Sequence, residues 1–275
     1  MAKPKLGLIP AAQGTKFYSV LPSDGTGDFT FTRGSVATRI NAQGLIENVA
    51  SGQSRLDYPM IDGVQKGCPH HILEPARTNL FSYSEDFNSG SPNWVLYGGA
   101  TVTSNNAISP DGTLNADKLS NQGGIYSQRV YNPNIDYVFS LFIKKNTATG
   151  LHMNFVDQSS GYLGGTIIYT YSSGAIQITQ SANSSVSAKS VDYGNGWIRL
   201  IMKFTTNVAQ NYNYQAIESI GGDSLIWGAM LEQGSYPTSY IPTNGQSGGV
   251  TRSAETATGA GNSTTFNSEE GVLMA

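Results

Sequence analysis

Apolar and polar residues alternate with a period of two along much of the chain, the signature of half-buried strands. Tyr137-Val-Phe-Ser-Leu-Phe-Ile143 is rich in strand formers and stops at Lys144-Lys145. Thr166–Tyr171 runs into Ser172-Ser-Gly174, and Ala175–Thr179 then alternates, so the spacing predicts a hairpin with a short glycine-containing loop. In Trp197–Phe204 the alternation is imperfect, which predicts cover on both faces, and Leu225–Glu232 reads as a buried strand. No helical stripe exceeds two turns. Strand signals with turn residues between them predict an all-β fold.

The pattern divides the chain in three. Residues 1–75 hold short strand signals at Phe29–Arg33, Ala37–Ile40 and Gly44–Val49, too few for a large core. They are expected to lie extended, to pair with a neighbouring chain or to pack on the next domain. Residues 76–244 carry most of the aromatic and aliphatic mass and are expected to form the main domain, a β-sandwich or barrel by its pattern. Residues 245–268 read as linker. Glu270-Gly-Val-Leu-Met-Ala275 then starts an apolar strand without a partner, so a further domain or a second subunit is expected to complete it.

Composition narrows the function classes. Of 275 residues only 13% are charged, 32 are glycine and 15 are tyrosine. A net charge of −3 argues against nucleic acid or an anionic membrane as partner. No window approaches the roughly 18 apolar residues of a membrane helix. The one cysteine, Cys68, cannot make an internal disulfide.

Candidate chemistry is sparse. Cys68-Pro-His70-His71 looks like part of a metal site, but zinc takes about four ligands and His152 is the only other imidazole. A polar loop with a small buried thiol is the plainer expectation, with no metal and no cofactor. Phosphate-loop (Gly-x-x-x-x-Gly-Lys-Ser/Thr) and His-Glu-x-x-His motifs are absent from the sequence. A glycosidase would need two carboxyls about 5–9.5 Å apart, and Glu85-Asp86 is the one pair that stands out. The chain is therefore expected not to be an enzyme. Sugar recognition is harder to set aside, because it uses aromatic faces with amides and hydroxyls and few charges. Aromatic candidates are Trp94, Tyr97, Tyr126, Tyr162, Trp197, Tyr212 and Tyr214, with Asn154, Gln158 and Gln215 as polar partners. Trp197 and Trp227 lie in strand motifs and are expected in the core. Trp94, Tyr162, Tyr212 and Tyr214 neighbour Gly, Asn or Ser and are the expected carbohydrate contacts.

Three groups of motifs resemble a recurring bacteriophage structural module. The first is Phe31-Thr-Arg-Gly-Ser-Val-Ala-Thr-Arg39 with Asn41–Glu47 and Arg55-Leu-Asp-Tyr58. The second is Ile72-Leu-Glu-Pro-Ala-Arg-Thr-Asn-Leu80, Tyr83-Ser-Glu-Asp-Phe87, Trp94, Ser109-Pro-Asp-Gly-Thr113 and Ala116-Asp-Lys-Leu119. The third is Gly196-Trp-Ile-Arg199, Ile226-Trp-Gly-Ala-Met-Leu-Glu232, Thr238-Ser-Tyr-Ile-Pro-Thr243 and Thr251-Arg-Ser-Ala-Glu255. The order is similar to head- or tail-fibre and other virion appendage proteins, whose central part is similar to carbohydrate-binding jelly rolls. The resemblance implies a virion location, an anchoring region at 1–75, homotrimers, other virion proteins as partners and a host surface glycan after them. It also implies that a concanavalin-A-like domain often follows the Thr-Arg segment. The alternatives from other classes are a stand-alone carbohydrate-binding module and a polysaccharide depolymerase using Glu85 or Asp86. Physically, Pro75 and Pro110 fix turns, and Thr78 and Asn79 are placed to bond backbone groups locally.

Overall fold

The computed structural model describes residues 7–13, 16–21, 29–66, 68–88, 90, 93–120, 123–129, 131–157, 164–207 and 213–259. Their regular structure is all strand, as the period of two requires. They divide into two compact units, one drawn from Met1–Pro59, Gln65–Ala76 and Arg252–Ala275, the other from Met60–Val64 and Arg77–Thr251.

The larger unit is a jelly-roll-like sandwich of two six-stranded antiparallel sheets. In chain order its strands are β1 (Val95–Tyr97), β2 (Val102–Ile108), β3 (Leu114–Leu119), β4 (Gly124–Arg129), β5 (Asp136–Lys145) and β6 (Gly150–Asp157). After these come β7 (Gly165–Thr170), β8 (Ile176–Gln180), β9 (Ser184–Asp192), β10 (Trp197–Thr206), β11 (Asn213–Ile220) and β12 (Ser224–Gln233). One sheet runs β1-β4-β11-β6-β7-β8 and the other β2-β3-β12-β5-β10-β9. Alternate residues meet between them: Leu151, Met153 and Phe155 of β6 share one core with Phe139, Leu141 and Ile143 of β5 and Leu200, Met202 and Phe204 of β10. Phe155 and Phe204 stack across it at 4.2 Å. Each such side chain contributes about 1.5–3 kcal/mol on burial.

Strands β5 and β12 are buried on both faces, which accounts for their unbroken apolar runs. A bulge sorts the residues of β12. Ser140 pairs with Met230 but Phe142 with Trp227, so β12 spends three residues where β5 spends two. Gly228 takes the left-handed conformation there, at φ +64°, and a Cβ would lie 2.9 Å from the Phe142 ring. The extra residue keeps Ile226, Ala229 and Leu231 in the core. Trp227 turns the other way, against Phe142 and Tyr240.

Asn79 repairs the ladder that this bulge interrupts. Its amide donates to the carbonyls of Ala229 (3.1 Å) and Ile241 (2.8 Å), and its Oδ1 accepts from the N–H groups of Leu231 and Phe81. The bond from Phe81, two residues on, is the local one expected at Asn79, and the other three partners lie far along the chain. The segment 238–243 is tied down similarly. Glu232, fully buried, accepts from the N–H and hydroxyl of Thr238, and Arg199 donates to the Thr238 carbonyl at 2.9 Å.

The smaller unit closes on charge. Arg33, Arg55 and Arg252 are 3%, 0% and 0% exposed, and Glu255 is 8% exposed. Arg33 donates to Glu255 at 2.7 Å and Arg252 to Glu74 at 2.9 Å, while Arg55 pairs with both acids. Spare donors are taken by carbonyls: Arg33 reaches Ser35 and Ala50, Arg55 reaches Thr38, and Arg252 reaches Pro75. Such pairing is what makes buried charge tolerable. Every member belongs to one of the phage-like motifs.

The reading of 245–268 as linker is corrected in part. Val250–Arg252 and Thr256–Thr258 are strands, the second pairing with Phe29–Thr32 through Ala257 and Phe31. Gly-, Ser- and Thr-rich composition hid this, because the buried anchors here are Arg252 and Glu255 rather than apolar residues. The strand expected at 270–275 lies outside the described residues.

Candidate functional site

The outward face of the sheet containing β6 gathers aromatic, amide, imidazole and carboxylate side chains. Register builds it. Tyr97 of β1 pairs with Gly124 of β4, Gly124 with Glu218 of β11, and Glu218 with His152 of β6. The neighbouring row runs Val95, Tyr126, Ala216, Asn154 and Thr166. Both rows point away from the core because Leu151, Met153 and Phe155 point into it.

Gly124 is the device that joins the first row. A Cβ there would sit 2.7 Å from both the Tyr97 hydroxyl and Glu218 Cγ. Without it, the Tyr97 hydroxyl crosses the strand and donates to Glu218 Oε1. Asn154 donates to the same oxygen at 3.3 Å, and His152 Nδ1 lies 3.5 Å from Oε2. The Tyr97 and Tyr126 rings are 5.8 Å apart, and Ala216, small and 5% exposed, forms the floor between Tyr126 and Asn154.

Electrostatics follow the contacts. Hydrogen bonds from His152 and then Tyr97 hold the Glu218 carboxyl below its ordinary range, against the cost of burial. Burial first, and the bond to Glu218 second, push the Tyr97 hydroxyl upward, so it stays a donor at neutral pH. Asn154 is 6% exposed, yet among the described residues its Oδ1 has no hydrogen-bond partner. A buried acceptor left unpaired costs about 1–3 kcal/mol, so an orphan on a half-open polar face is a place for a ligand hydroxyl.

The expected sugar contacts fare differently. Trp94 is corrected: it is 1% exposed, packs against Phe81 and Phe87 and donates Nε1–H to the Tyr83 carbonyl. Its Asn and Ser neighbours mark a turn, but the ring itself caps the apolar core. Tyr162, Tyr212 and Gln158 lie outside the described residues. Tyr214 and Gln215 are placed as backbone in β11, and their side chains lie outside the description. Trp197 and Trp227 are buried, as their strand motifs imply. Tyr97, Tyr126 and Asn154 are brought together. The contributions of Glu218 and His152 are not legible as a pair, since only the register joins residues 66 positions apart. The alternation Leu151-His-Met-Asn-Phe155 is the available signal that His152 and Asn154 share a face.

Cys68 is exposed, which corrects the expected buried thiol; its loop is too short of apolar neighbours to cover it. His70 and His71 form a short strand with Leu56–Asp57, and among the described residues no group of His, Cys, Asp or Glu is placed to hold a metal ion. Glu85 and Asp86 line a separate cavity of about 340 Å³ together with Asp117.

No protein-family model matches the chain, and no curated protein matches it. Solved structures with partial likeness include the enzymatically active domain of bacteriophage CBA120 tailspike protein 4, at 16% identity and TM-score 0.39, over 57% of this chain and 21% of that one. The CBM22-1–GH10 modules of Clostridium thermocellum endo-1,4-beta-D-xylanase 10B, complexed with xylohexaose, match at 15% identity and TM-score 0.35, over 58% and 28%. A CBM4 structure matches at 11% and 0.34, over 57% and 97%. The chain thus spans less than a third of the length of the first two. At these scores the likeness carries no inference about function.

Proposed function

We propose that this chain is a non-catalytic subunit of a phage particle whose sandwich binds an uncharged surface glycan on the Tyr97–Glu218–His152–Asn154 face. The observation that carries the binding half is the unpartnered Oδ1 of Asn154, set beside two tyrosine rings and an ionised carboxylate. A sugar ring stacks its C–H face on an aromatic ring and gives its hydroxyls to amides and carboxylates. Glu218 disfavours acidic sugars by like charge. The particle half rests on the three groups of motifs and their order, with residues 1–75 as the region attaching to the virion or to sister subunits in a homotrimer.

A glycan array with the full chain tests the first half: signal on neutral surface polysaccharides supports it, and silence across them removes it. Light scattering tests the second, where a mass near three times 29.3 kDa is expected and one near 29.3 kDa at micromolar concentration counts against the trimer. Release of reducing ends from a bound polysaccharide would overturn the non-catalytic reading.

A further inference from the structure

The cavity that holds Glu85 and Asp86 lies apart from the tyrosine face and has its own chemistry. Its walls come from the loop at 85–86, Ser104 and Asn105 of β2, Asn115 and Asp117 of β3, and the segment Pro242–Gln246. Tight contacts shape it. Glu85 accepts from the Tyr240 hydroxyl at 2.8 Å and from the Asn115 amide at 3.1 Å. Asp117, 1% exposed, accepts from the N–H groups of Phe87 and Asn105 and so pins the loop to β2. Asp86 is exposed and accepts from the Asn88 N–H.

Acceptors are in excess here. No Lys, Arg or His lines the cavity, and among the described residues none of the three carboxylates makes an ion pair. Two further oxygens are unpaired. Among the described residues Thr243, 5% exposed, has no partner for its Oγ1, and Asn115 has none for its Oδ1. The strain shows in the acids: burial pushes the Glu85 carboxyl up, and burial with the charge of Asp86 brings Asp117 to about 6. What is missing is a positively charged donor.

Size and lining decide its class. About 340 Å³ holds on the order of ten waters, far more than one bare ion fills. No acid group is placed for metal coordination among the described residues. A lysine side chain would bury its methylene stem against apolar surface, and Pro242 is the sole apolar residue in the lining. Amides, hydroxyls and carboxylates instead suit a compact body bearing both hydroxyls and an ammonium. We propose that this cavity binds an amino-sugar unit with a free amine, its ammonium between Glu85 and Asp86 and its hydroxyls on Asn115, Thr243 and the amides of Asn244 and Gln246. The inference is independent of glycan binding at the tyrosine face.

Calorimetric titration of the full chain with glucosamine, N-acetylglucosamine and calcium chloride, each alone, tests it. Glucosamine is expected to bind, and N-acetylglucosamine, whose nitrogen is neutral, to bind at least about tenfold more weakly. A glucosamine oligomer distinguishes a chain-internal from a free unit: binding of either supports the site. Glu85→Gln is expected to weaken glucosamine about tenfold. Because Glu85 also holds Tyr240, Asp86→Asn serves as the second variant; its side chain is exposed and keeps an Oδ1 for Asn88. Equal binding of the N-acetylated sugar, saturation by calcium alone, or indifference to Asp86→Asn would each overturn the proposal.

Discussion

The two units solve the same problem with opposite materials. The sandwich buries rings and aliphatic chains between two six-stranded sheets, with Phe139, Phe155 and Phe204 at its centre. The smaller unit has short strands and places three arginines and two glutamates where a core would be. Apolar packing is forgiving of shape and non-directional. A buried charge network is neither: each member must find its partner, so it specifies one arrangement and collapses if one is lost. The lesson is that the five charged residues buried in the smaller unit are structural fastenings taken from the recurring motifs, whereas the proposed glycan face is built from residues no motif contains.

Removing one fastening should show the largest effect. Glu255→Ala removes the acid of Arg33 and one of the two acids of Arg55 and is expected to cost about 3–5 kcal/mol in denaturant unfolding, about as much as Phe204→Ala in the sandwich. A loss under about 1 kcal/mol for Glu255→Ala would abolish the contrast. Next comes Asn79→Ala, which leaves four backbone groups around the β12 bulge unpaired and is expected to cost about 2–4 kcal/mol. Chemical denaturation with hydrogen exchange at Leu231 reads both the loss and its place.

A pH series sharpens the same comparison inside the sandwich. Asp117 has a folded pKa of about 6 against an ordinary 3.8, so the folded state holds its proton more tightly than the unfolded one. Its contribution to stability is therefore fully present below the ordinary value and is lost as pH rises from about 4 to about 6. Glu218 behaves in the reverse sense: its carboxyl is lowered, so its stabilisation is present above the ordinary value and fades as pH falls. Asp117→Asn should remove the first dependence, and His152→Gln should weaken the second by less than about 1 kcal/mol, as befits a half-exposed pair. Unfolding midpoints between pH 4 and 7 check both.

How much of this the amino-acid string announces depends on the range of the interaction. The strand-forming run of Tyr137–Ile143 and the alternation of Thr166–Tyr171 are local, and so the strands and the all-β class are readable. Trp94 misleads because a bulky ring beside Asn and Ser looks exposed until Phe81 and Phe87, from another stretch, close over it. Arg252 and Glu255 look like linker residues because the partners of Glu255, Arg33 and Arg55, lie 222 and 200 positions away. The tyrosine face depends on which strand pairs with which. Tyr97, Tyr126 and Asn154 can be nominated singly, but only the order β1-β4-β11-β6 sets Glu218 between Tyr97 and His152.

The claim of a glycan-binding face is tested most directly by titrating the strongest neutral oligosaccharide from the array into the full chain and its Asn154→Ala and Gly124→Ala variants. Asn154→Ala deletes an acceptor without a partner among the described residues together with the 3.3 Å bond to Glu218; the two effects oppose, so stability should change by less than about 1 kcal/mol while affinity falls about tenfold. Gly124→Ala should drive Tyr97 and Glu218 apart and weaken binding further, at a stability cost of about 1–3 kcal/mol. The account predicts loss of binding without loss of fold at Asn154. Unchanged affinity in a folded Asn154→Ala protein would contradict it.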